Sequence, residues 1–443
     1  MNNNNISCIF SLMEFDSTYQ TEYESLKEIL IEMTQYPFDP TPKTEIIARI
    51  KAVQKQMAAL HLDALFLTHK PDIYYFSGTA QDCYLYIEKD HDPVLFVKRY
   101  LPRVQQETAL KNIEPIDSIK DIPKLIERCF KKHPGSCGLA FDVVPVKDFH
   151  FYKALFKNTH FVDGSPVIEA CRQIKSSWEI EQMKKAALVS KQTFDFMEEN
   201  IKPEISEMDF CGMFEAYSRT LGHSGKLLTR HYRLEGFPFH LMSGKNGGIP
   251  GALDSPLCGT GTSNAYPYGA GPKLIKANEP ILIDFGTVID GYHMDESRMF
   301  VIGKLPDRAE DASKASIEIL YALLDRMRPG VSMGEIFETA VTIAKKLGLE
   351  DQFLGLPGLK SKFIGHGIGL ELVENPILAK GKKTLLKPGM VFAVEPKFIF
   401  KHQFAAGIES VIHITENGSQ FLSMTENKIF SYHRKWQRVF KYD

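Results

Sequence analysis

Residues 281–300, which read ILIDFGTVIDGYHMDESRMF, are the starting point for inferring the fold of this chain. The first six residues are typical of a buried β-strand, yet Asp284 lies among them, and Asp295 lies in the next strand-like run. The turn sequence IDG between the runs predicts a β-hairpin that brings the two carboxylates near each other. Solvated carboxylates are one interpretation, but the apolar neighbours of Asp284 argue against it. Because an unpaired buried carboxylate is unfavourable, we expect a cation between the two.

Three further stretches place ionisable side chains in unusual surroundings. His366 lies between glycines in KFIGHGIGLELVENP, Glu395 lies in GMVFAVEPKFIF, and Glu409 lies in GIESVIHIT. Each glutamate alone is typical of a structural salt bridge. Four carboxylates and a histidine together are better explained by a pair of divalent cations. An oxygen-rich ligand set with one nitrogen favours Mn²⁺, Co²⁺, Fe²⁺ or Zn²⁺, and two such ions can activate a water and polarise a carbonyl.

The motifs follow one another in a recognisable order. They are D-x-G, GY-x-x-D-x-[ST]-R, G-H-G-x-G-L-E, V-x-x-x-E-P and G-x-E-x-V. This order resembles that of the pita-bread metallopeptidase family, which includes Xaa-Pro aminopeptidases, prolidases and methionine aminopeptidases, with creatinase as a non-peptidase relative. The resemblance covers about residues 170–430, and the earlier stretch DIYYFSGTAQDCYLYI is similar to the family's creatinase-type N-terminal domain.

The resemblance implies a role for each residue of the ligand set. Asp284 would chelate one metal ion, and His366 and Glu395 would bind the other. Asp295 and Glu409 would bridge both ions. Glu395 also stands where the family places a carboxylate that helps to move the proton of the attacking water. The implied cofactor is two divalent metal ions, with Mn²⁺ the first expectation and Co²⁺, Fe²⁺ or Zn²⁺ also compatible.

An internal repeat accompanies these motifs. Residues 201–223 resemble residues 327–349 at a constant offset, and each copy carries a Ser-x-x-acid capping box. Chance similarity between two capped helices is the alternative to a duplicated half-domain. With the resemblance, the repeat predicts an α/β (α+β) fold of two domains, a creatinase-type N-terminal domain and a C-terminal duplicated pita-bread domain. The predicted boundaries are 1–43 for an N-terminal helical extension, 44–170 for the creatinase-like domain and 171–443 for the catalytic domain.

The chain departs from the prolidase-like pattern at three positions. Tyr268 in NAYPYGAG and Val373 in GLELVENP stand where those peptidases carry histidines. Gly407 stands where many of them carry an arginine. A tyrosine can donate a hydrogen bond but is a poor proton shuttle at neutral pH, and a valine can do neither.

Other histidines could replace the missing ones. The candidates are His240 in GFPFHLMSG, His293 and His231, although each could equally be a structural histidine. The predicted catalytic residues are Tyr268, His240 and Glu395.

Composition restricts the classes of partner. The chain has 443 residues, and its 53 basic and 55 acidic residues give a net charge of −2. This balance provides no large basic surface, so we expect neither nucleic acid nor an anionic membrane as a partner. Seven scattered cysteines without a C-x-x-C pair fit a reducing compartment, and no apolar run suggests a membrane helix. A cytoplasmic location is predicted.

The leading hypothesis is a dinuclear-metal hydrolase that resembles Xaa-Pro aminopeptidases and dipeptidases and acts on small peptides. One alternative is a C–N hydrolase or lyase that acts on a small non-peptide metabolite, as creatinase does. The other is a binding relative without catalytic activity. The resemblance also implies a homodimer, since two-domain members of the family are commonly dimers.

Overall fold

The computed structural model describes residues 40–231, 236, 239–251 and 255–432. In these ranges the α-helices are α1 (Lys43–Ala59), α2 (Lys70–Ser77), α3 (Leu101–Glu107), α4 (Ile122–Phe130), α5 (Val146–Leu155), α6 (Ser165–Arg172), α7 (Ser177–Asn200), α8 (Glu207–Thr220), α9 (Asp307–Arg326) and α10 (Met333–Lys346). Short 3-10 helices lie at Ile119–Asp121, Gly244–Gly248 and Glu350–Gln352. The predicted N-terminal extension, apart from residues 40–43, lies outside the described residues. No helix in the described part of the chain is both long and apolar enough to cross a membrane.

The strands alternate with these helices along the chain. They are β1 (Ala64–Leu67), β2 (Cys83–Glu88), β3 (Val94–Val97), β4 (Asn112–Pro115), β5 (Ser136–Leu139), β6 (His160–Asp163), β7 (Phe239–Ser243), β8 (Ile281–Ile289), β9 (Tyr292–Ile302), β10 (Phe363–Gly367), β11 (Glu374–Ala379), β12 (Val391–Val394), β13 (Lys397–Phe400), β14 (Phe404–Gly407), β15 (Ser410–Thr415), β16 (Gly418–Phe421) and β17 (Ile429–Tyr432).

The N-terminal domain is built on a six-stranded mixed sheet. Its strand order is β4-β3-β2-β1-β5-β6, with β1 antiparallel to β2 and parallel to β5. All four residues of β1 are buried, as expected for a strand that is covered on both faces. Phe66 of β1 packs edge-on against Tyr152 of α5, with ring centroids 5.6 Å apart.

The predicted repeat corresponds to two equivalent helix pairs, α7 with α8 and α9 with α10. Ser206 and Ser332 are the N-caps of α8 and α10. The Oγ of each serine accepts a hydrogen bond from the backbone N–H three residues on, at 2.9 Å from Asp209 and 3.2 Å from Glu335. The same local signal therefore starts the same helix in both copies, and the predicted two-domain α/β fold with a duplicated C-terminal domain is confirmed.

Two sheets lie under these helix pairs. One has the order β17-β9-β8-β7 and contacts α7 and α8, and the other has the order β11-β10-β12-β15-β16 and contacts α9 and α10. The hairpin β13-β14 lies beside them. The sheets join where Ser297 of β9 and Glu409 exchange backbone hydrogen bonds of 3.0 and 3.3 Å. This junction is where the predicted ligands lie.

Buried ion pairs connect the N-terminal domain to the C-terminal domain. The guanidinium of Arg172, at the end of α6, lies 2.7 Å from Asp72 of α2 and 2.5 Å from Glu374 of β11. Nζ of Lys175 lies 3.1 Å from the same glutamate. These side chains are at most 6% exposed, so each charge depends on its partners for compensation. The network ties the segment after β10 to the N-terminal domain.

Candidate metal centre

The predicted hairpin is present as β8 and β9. Its two turn residues, Asp290 and Gly291, have φ of 50° and 84°, the left-handed conformations that a tight two-residue hairpin turn requires. Asp284 pairs with Ser297, and Asp295 lies two residues before that serine. Because side chains alternate along a strand, Asp284 and Asp295 are diagonal neighbours on one face.

The other three predicted ligands come from the neighbouring sheet. His366 lies in β10, Glu395 directly follows β12, and Glu409 directly precedes β15. β12 pairs with both β10 and β15, which brings the three side chains together. Their side chains are 6%, 8% and 2% exposed. The five residues named from the sequence therefore meet at the junction of the two sheets.

Asp295, His366 and Glu409 form a group with the spacing of metal ligands. Nε2 of His366 lies 3.7 Å from Oδ2 of Asp295 and 3.9 Å from Oε1 of Glu409. Two atoms bound to one ion at about 2.1 Å can be at most about 4.2 Å apart. Both separations are below this limit. Nδ1 of His366 lies 3.0 Å from the carbonyl oxygen of Gly367, and a hydrogen bond donated there leaves Nε2 as the ligand atom.

A lysine that the sequence analysis did not single out occupies the other side of this cluster. Nζ of Lys397 lies 3.0 Å from Oδ2 of Asp284, 2.9 Å from Oε2 of Glu395 and 2.7 Å from Oε2 of Glu409. An ammonium has three N–H donors, and each of them has a carboxylate partner here. The side chain is 1% exposed. In the sequence, Lys397 could have been recognised as a charged residue at the start of the otherwise apolar strand KFIF, two positions after Glu395.

The conformation of this lysine depends on a glycine. Lys397 begins β13 and pairs with Gly407 at the end of β14. A Cβ atom on residue 407 would lie 2.6 Å from Cγ of Lys397, a distance too short for any packed contact. The absence of a side chain at position 407 therefore provides the space through which the lysine stem reaches the carboxylates.

The pKa values of the cluster follow from burial and from the ammonium of Lys397. Burial lowers the pKa of Lys397, but the carboxylates of Asp284, Glu395 and Glu409 outweigh it, and the pKa lies well above its ordinary value. Burial raises the pKa of Asp284, but the ammonium outweighs it and the pKa is lowered. Burial, with the charges of Glu409 and Asp284, raises the pKa of Asp295 well above its ordinary value. Burial also raises the pKa of Glu409, to about 8. The carboxylates thus share too little positive charge, which favours the binding of a further cation.

The donor set fits one divalent ion and does not fit two. Asp295, His366 and Glu409 present two carboxylate oxygens and an imidazole nitrogen, a set typical of Mn²⁺, Fe²⁺ or Zn²⁺ sites. Asp284 and Glu395, which the resemblance assigns to separate ions, instead both accept hydrogen bonds from Lys397. The predicted second ion therefore conflicts with this arrangement of side chains.

His240 and Tyr268 lie next to the cluster. His240 of β7 pairs with Asp284 across the strands, so both side chains are on the same face of the sheet. Burial lowers the pKa of His240, which keeps the imidazole neutral at pH 7. The rings of His240 and Tyr268 are 6.2 Å apart between centroids and inclined by 27°. The structure thus places His240 beside Asp284 and Tyr268 beside His240, and the catalytic roles of both stay a prediction.

His293 has a structural role. Its Nδ1 lies 3.0 Å from the carbonyl oxygen of Gly369, and its Nε2 accepts a hydrogen bond of 3.0 Å from the backbone N–H of Leu228. Both ring nitrogens are therefore used within the protein. His231 is exposed, and Val373 is half-buried.

Comparison with known proteins matches two family models to successive parts of the chain. Residues 181–416 match Metallopeptidase family M24, and residues 49–174 match the Creatinase/Prolidase N-terminal domain. The chain belongs to metallopeptidase family M24, and its family makes it a metal-dependent peptidase.

Relatives and solved structures match over nearly their whole lengths. An Xaa-Pro dipeptidase of Pyrococcus furiosus is 26% identical over 385 residues, which cover 86% of this chain and 99% of that protein. A putative dipeptidase of Bacillus subtilis is 25% identical over 85% of this chain and 97% of its own. The fold is similar to that of an Xaa-Pro dipeptidase from Bacillus anthracis, with a TM-score of 0.75, 20% identity and coverage of 87% and 99%.

Proposed function

We propose that this chain hydrolyses small Xaa-Pro peptides with a divalent metal ion bound by Asp295, His366 and Glu409. The observation that carries the proposal is the closeness of these three buried side chains at the junction of the two sheets. Relatives named Xaa-Pro dipeptidase support the substrate class. Mn²⁺ is the proposed metal, since two oxygens and one nitrogen suit it, and Co²⁺, Fe²⁺ and Zn²⁺ suit the same set.

The side chains around the cluster can perform different steps of amide hydrolysis. A divalent ion bound at this site would supply an activated water and polarise the scissile carbonyl. Oε2 of Glu395 accepts a hydrogen bond from Lys397, which leaves Oε1 to accept a proton from the attacking water. Tyr268 provides an O–H that can donate to the oxygen on which negative charge develops. His240 is neutral at pH 7, so it can accept one proton or donate one hydrogen bond.

Two further predictions belong to this proposal. Homodimer formation follows from the resemblance to two-domain members of the family. A cytoplasmic location follows from the cysteine pattern of the sequence, and the six cysteines within the described residues are free. Size-exclusion chromatography with light scattering measures the first, and fractionation of the source cells measures the second.

The direct test is turnover of Xaa-Pro dipeptides by protein reconstituted with Mn²⁺. We expect hydrolysis that a chelator abolishes and that Mn²⁺ restores. Asp295→Asn should lose activity together with bound metal, whereas Asp290→Asn is the matched control, because Asp290 lies in the hairpin turn with its side chain 51% exposed. A protein that carries its metal and still leaves every Xaa-Pro dipeptide intact would contradict the proposal.

Lys397 favours a second candidate, hydrolysis of a C–N bond in a small non-peptide metabolite. A fixed ammonium within 3.0 Å of the carboxylates of Asp284, Glu395 and Glu409 gives the centre a different charge from that of the predicted two-ion site. A panel of small amides and guanidino compounds, assayed beside the dipeptides, separates the two functions. Turnover restricted to that panel would favour the second candidate, and efficient dipeptide hydrolysis would exclude it.

A further inference from the structure

We propose that the ammonium of Lys397 takes the place of one ion of a dinuclear centre, so that the chain binds a single divalent ion between Asp295, His366 and Glu409. The inference deepens the proposed function and rests on it for the ligand set. It concerns how many ions the site holds, which can be measured without any substrate.

The two oxygens of Glu409 show how the cluster is divided. Oε1 lies 3.9 Å from Nε2 of His366, on the side of the metal-binding group. Oε2 lies 2.7 Å from Nζ of Lys397 and also accepts a hydrogen bond of 3.0 Å from Oγ of Ser297. A carboxylate that the resemblance assigns to bridge two ions thus bridges the candidate ion site and an ammonium. The ammonium stands at the far oxygen, where the second ion would bind.

The ammonium also engages the ligands that a second ion would need. Asp284 is 3.0 Å from Nζ through Oδ2, and Glu395 is 2.9 Å from it through Oε2. These are ordinary lengths for charge-assisted hydrogen bonds, and together with Glu409 they use all three donors of the lysine. A second ion would therefore have to compete with the ammonium for one oxygen of each of these three carboxylates.

Lys397 cannot easily leave this position. Its side chain is 1% exposed, and its stem runs through the space above Gly407, where even a Cβ atom would lie 2.6 Å from Cγ. The lysine begins β13, whose backbone pairs with β14 from Lys397↔Gly407 to Phe400↔Phe404. Withdrawal of the ammonium would leave it buried without a partner or would require the hairpin to open. The ammonium is therefore a built-in part of the centre.

Charge balance agrees with one ion. The cluster contains four carboxylates, and the ammonium already neutralises part of their charge. One divalent ion added to the ammonium leaves the centre with a net charge of about −1. Two divalent ions would leave about +1 and would place the second ion beside the ammonium, at carboxylates that already compensate it, where the two cations repel each other.

The test is the number of Mn²⁺ ions bound by the full chain, measured by isothermal titration and by elemental analysis after removal of free metal. We expect about one ion per chain for the unaltered protein and about two for Lys397→Ala, since the variant restores the space and the charge for a second ion. Electron paramagnetic resonance of the Mn²⁺ form gives an independent readout. An isolated ion shows resolved hyperfine lines, whereas two ions joined by carboxylates show a coupled spectrum.

Two variants serve as controls. Lys397→Arg keeps the positive charge and should not bind a second ion. Lys175→Ala removes another lysine whose side chain is 1% exposed, which is ion-paired with Glu374 outside the cluster, and should leave the number of ions unchanged. Circular dichroism of each variant verifies folding, and the unaltered protein alone already tests the inference if Lys397→Ala does not fold.

The outcomes are distinct. One ion in the unaltered protein with an isolated spectrum, and two in Lys397→Ala, would support the inference. Two ions or a coupled spectrum in the unaltered protein would overturn it, and so would a protein that binds no ion. One ion in folded Lys397→Ala would show that the ammonium is not what excludes the second ion. Because the count needs no substrate, each result is separable from failure of the Xaa-Pro assay.

Discussion

Protonation of His293 should destabilise the protein as the pH falls below 7. Burial lowers the pKa of this histidine from 6.5 to about 4 and outweighs the hydrogen bond to the carbonyl of Gly369, which raises the pKa. In the neutral ring, Nδ1 donates to Gly369 and Nε2 accepts from the backbone N–H of Leu228. A proton on Nε2 would create an N–H donor that faces the backbone N–H donor of Leu228. The unfolded chain has no such restriction and binds the proton near pH 6.5.

The size of the effect follows from the two pKa values. The folded pKa of a base is depressed, so the contribution of His293 is fully present above pH 6.5 and is lost as the pH falls toward 4. Between pH 7 and pH 5, proton linkage at this one site removes about 2 kcal/mol from the free energy of unfolding. Urea denaturation followed by circular dichroism at both pH values measures the loss.

The matched variant is His293→Gln, since an amide can both donate and accept but does not titrate in this range. Other groups titrate equally in both proteins, so only the difference between them is assigned to His293. We expect the variant to lose about 2 kcal/mol less than the unaltered protein between pH 7 and pH 5. Equal losses in the two proteins would refute the reasoning, as would a carbon-13 titration of the ring with a pKa near 6.5.

Four further substitutions test the packing and the site. Arg172→Met leaves three buried carboxylates without their guanidinium and should lower the free energy of unfolding by about 3–5 kcal/mol, measured by urea denaturation; a loss below about 1 kcal/mol would contradict a role in holding the domains together. Ser206→Ala and Ser332→Ala should each cost about 1 kcal/mol, and clearly unequal costs would argue against equivalent caps in the two copies. Tyr268→Phe should lower kcat for Xaa-Pro dipeptides about 100-fold with little change in KM, and an unchanged kcat would remove its O–H from the mechanism.

The local patterns of the sequence, together with the resemblance to a known family, were sufficient to predict the fold and the position of the site. Hydrophobic runs interrupted by Asp284 and Asp295, with IDG between them, predicted the hairpin that the structure contains, because strand alternation and turn conformation depend on neighbouring residues. The two Ser-x-x-acid signals predicted α8 and α10 for the same reason. The types of the five predicted ligands and their order along the chain also predicted that they share one site.

Only the tertiary structure decided what balances the charge of those ligands. Lys397 reads as one lysine at the edge of an apolar strand, and its direction depends on the pairing of β13 with β14 and on the space left at Gly407. Likewise, nothing in the sequence separated His293, with both ring nitrogens bound to backbone, from His240, which faces Asp284 across the strands. The physical reason is that a charged side chain is directed by the room and the partners around it, and those come from residues distant in sequence and adjacent only after folding.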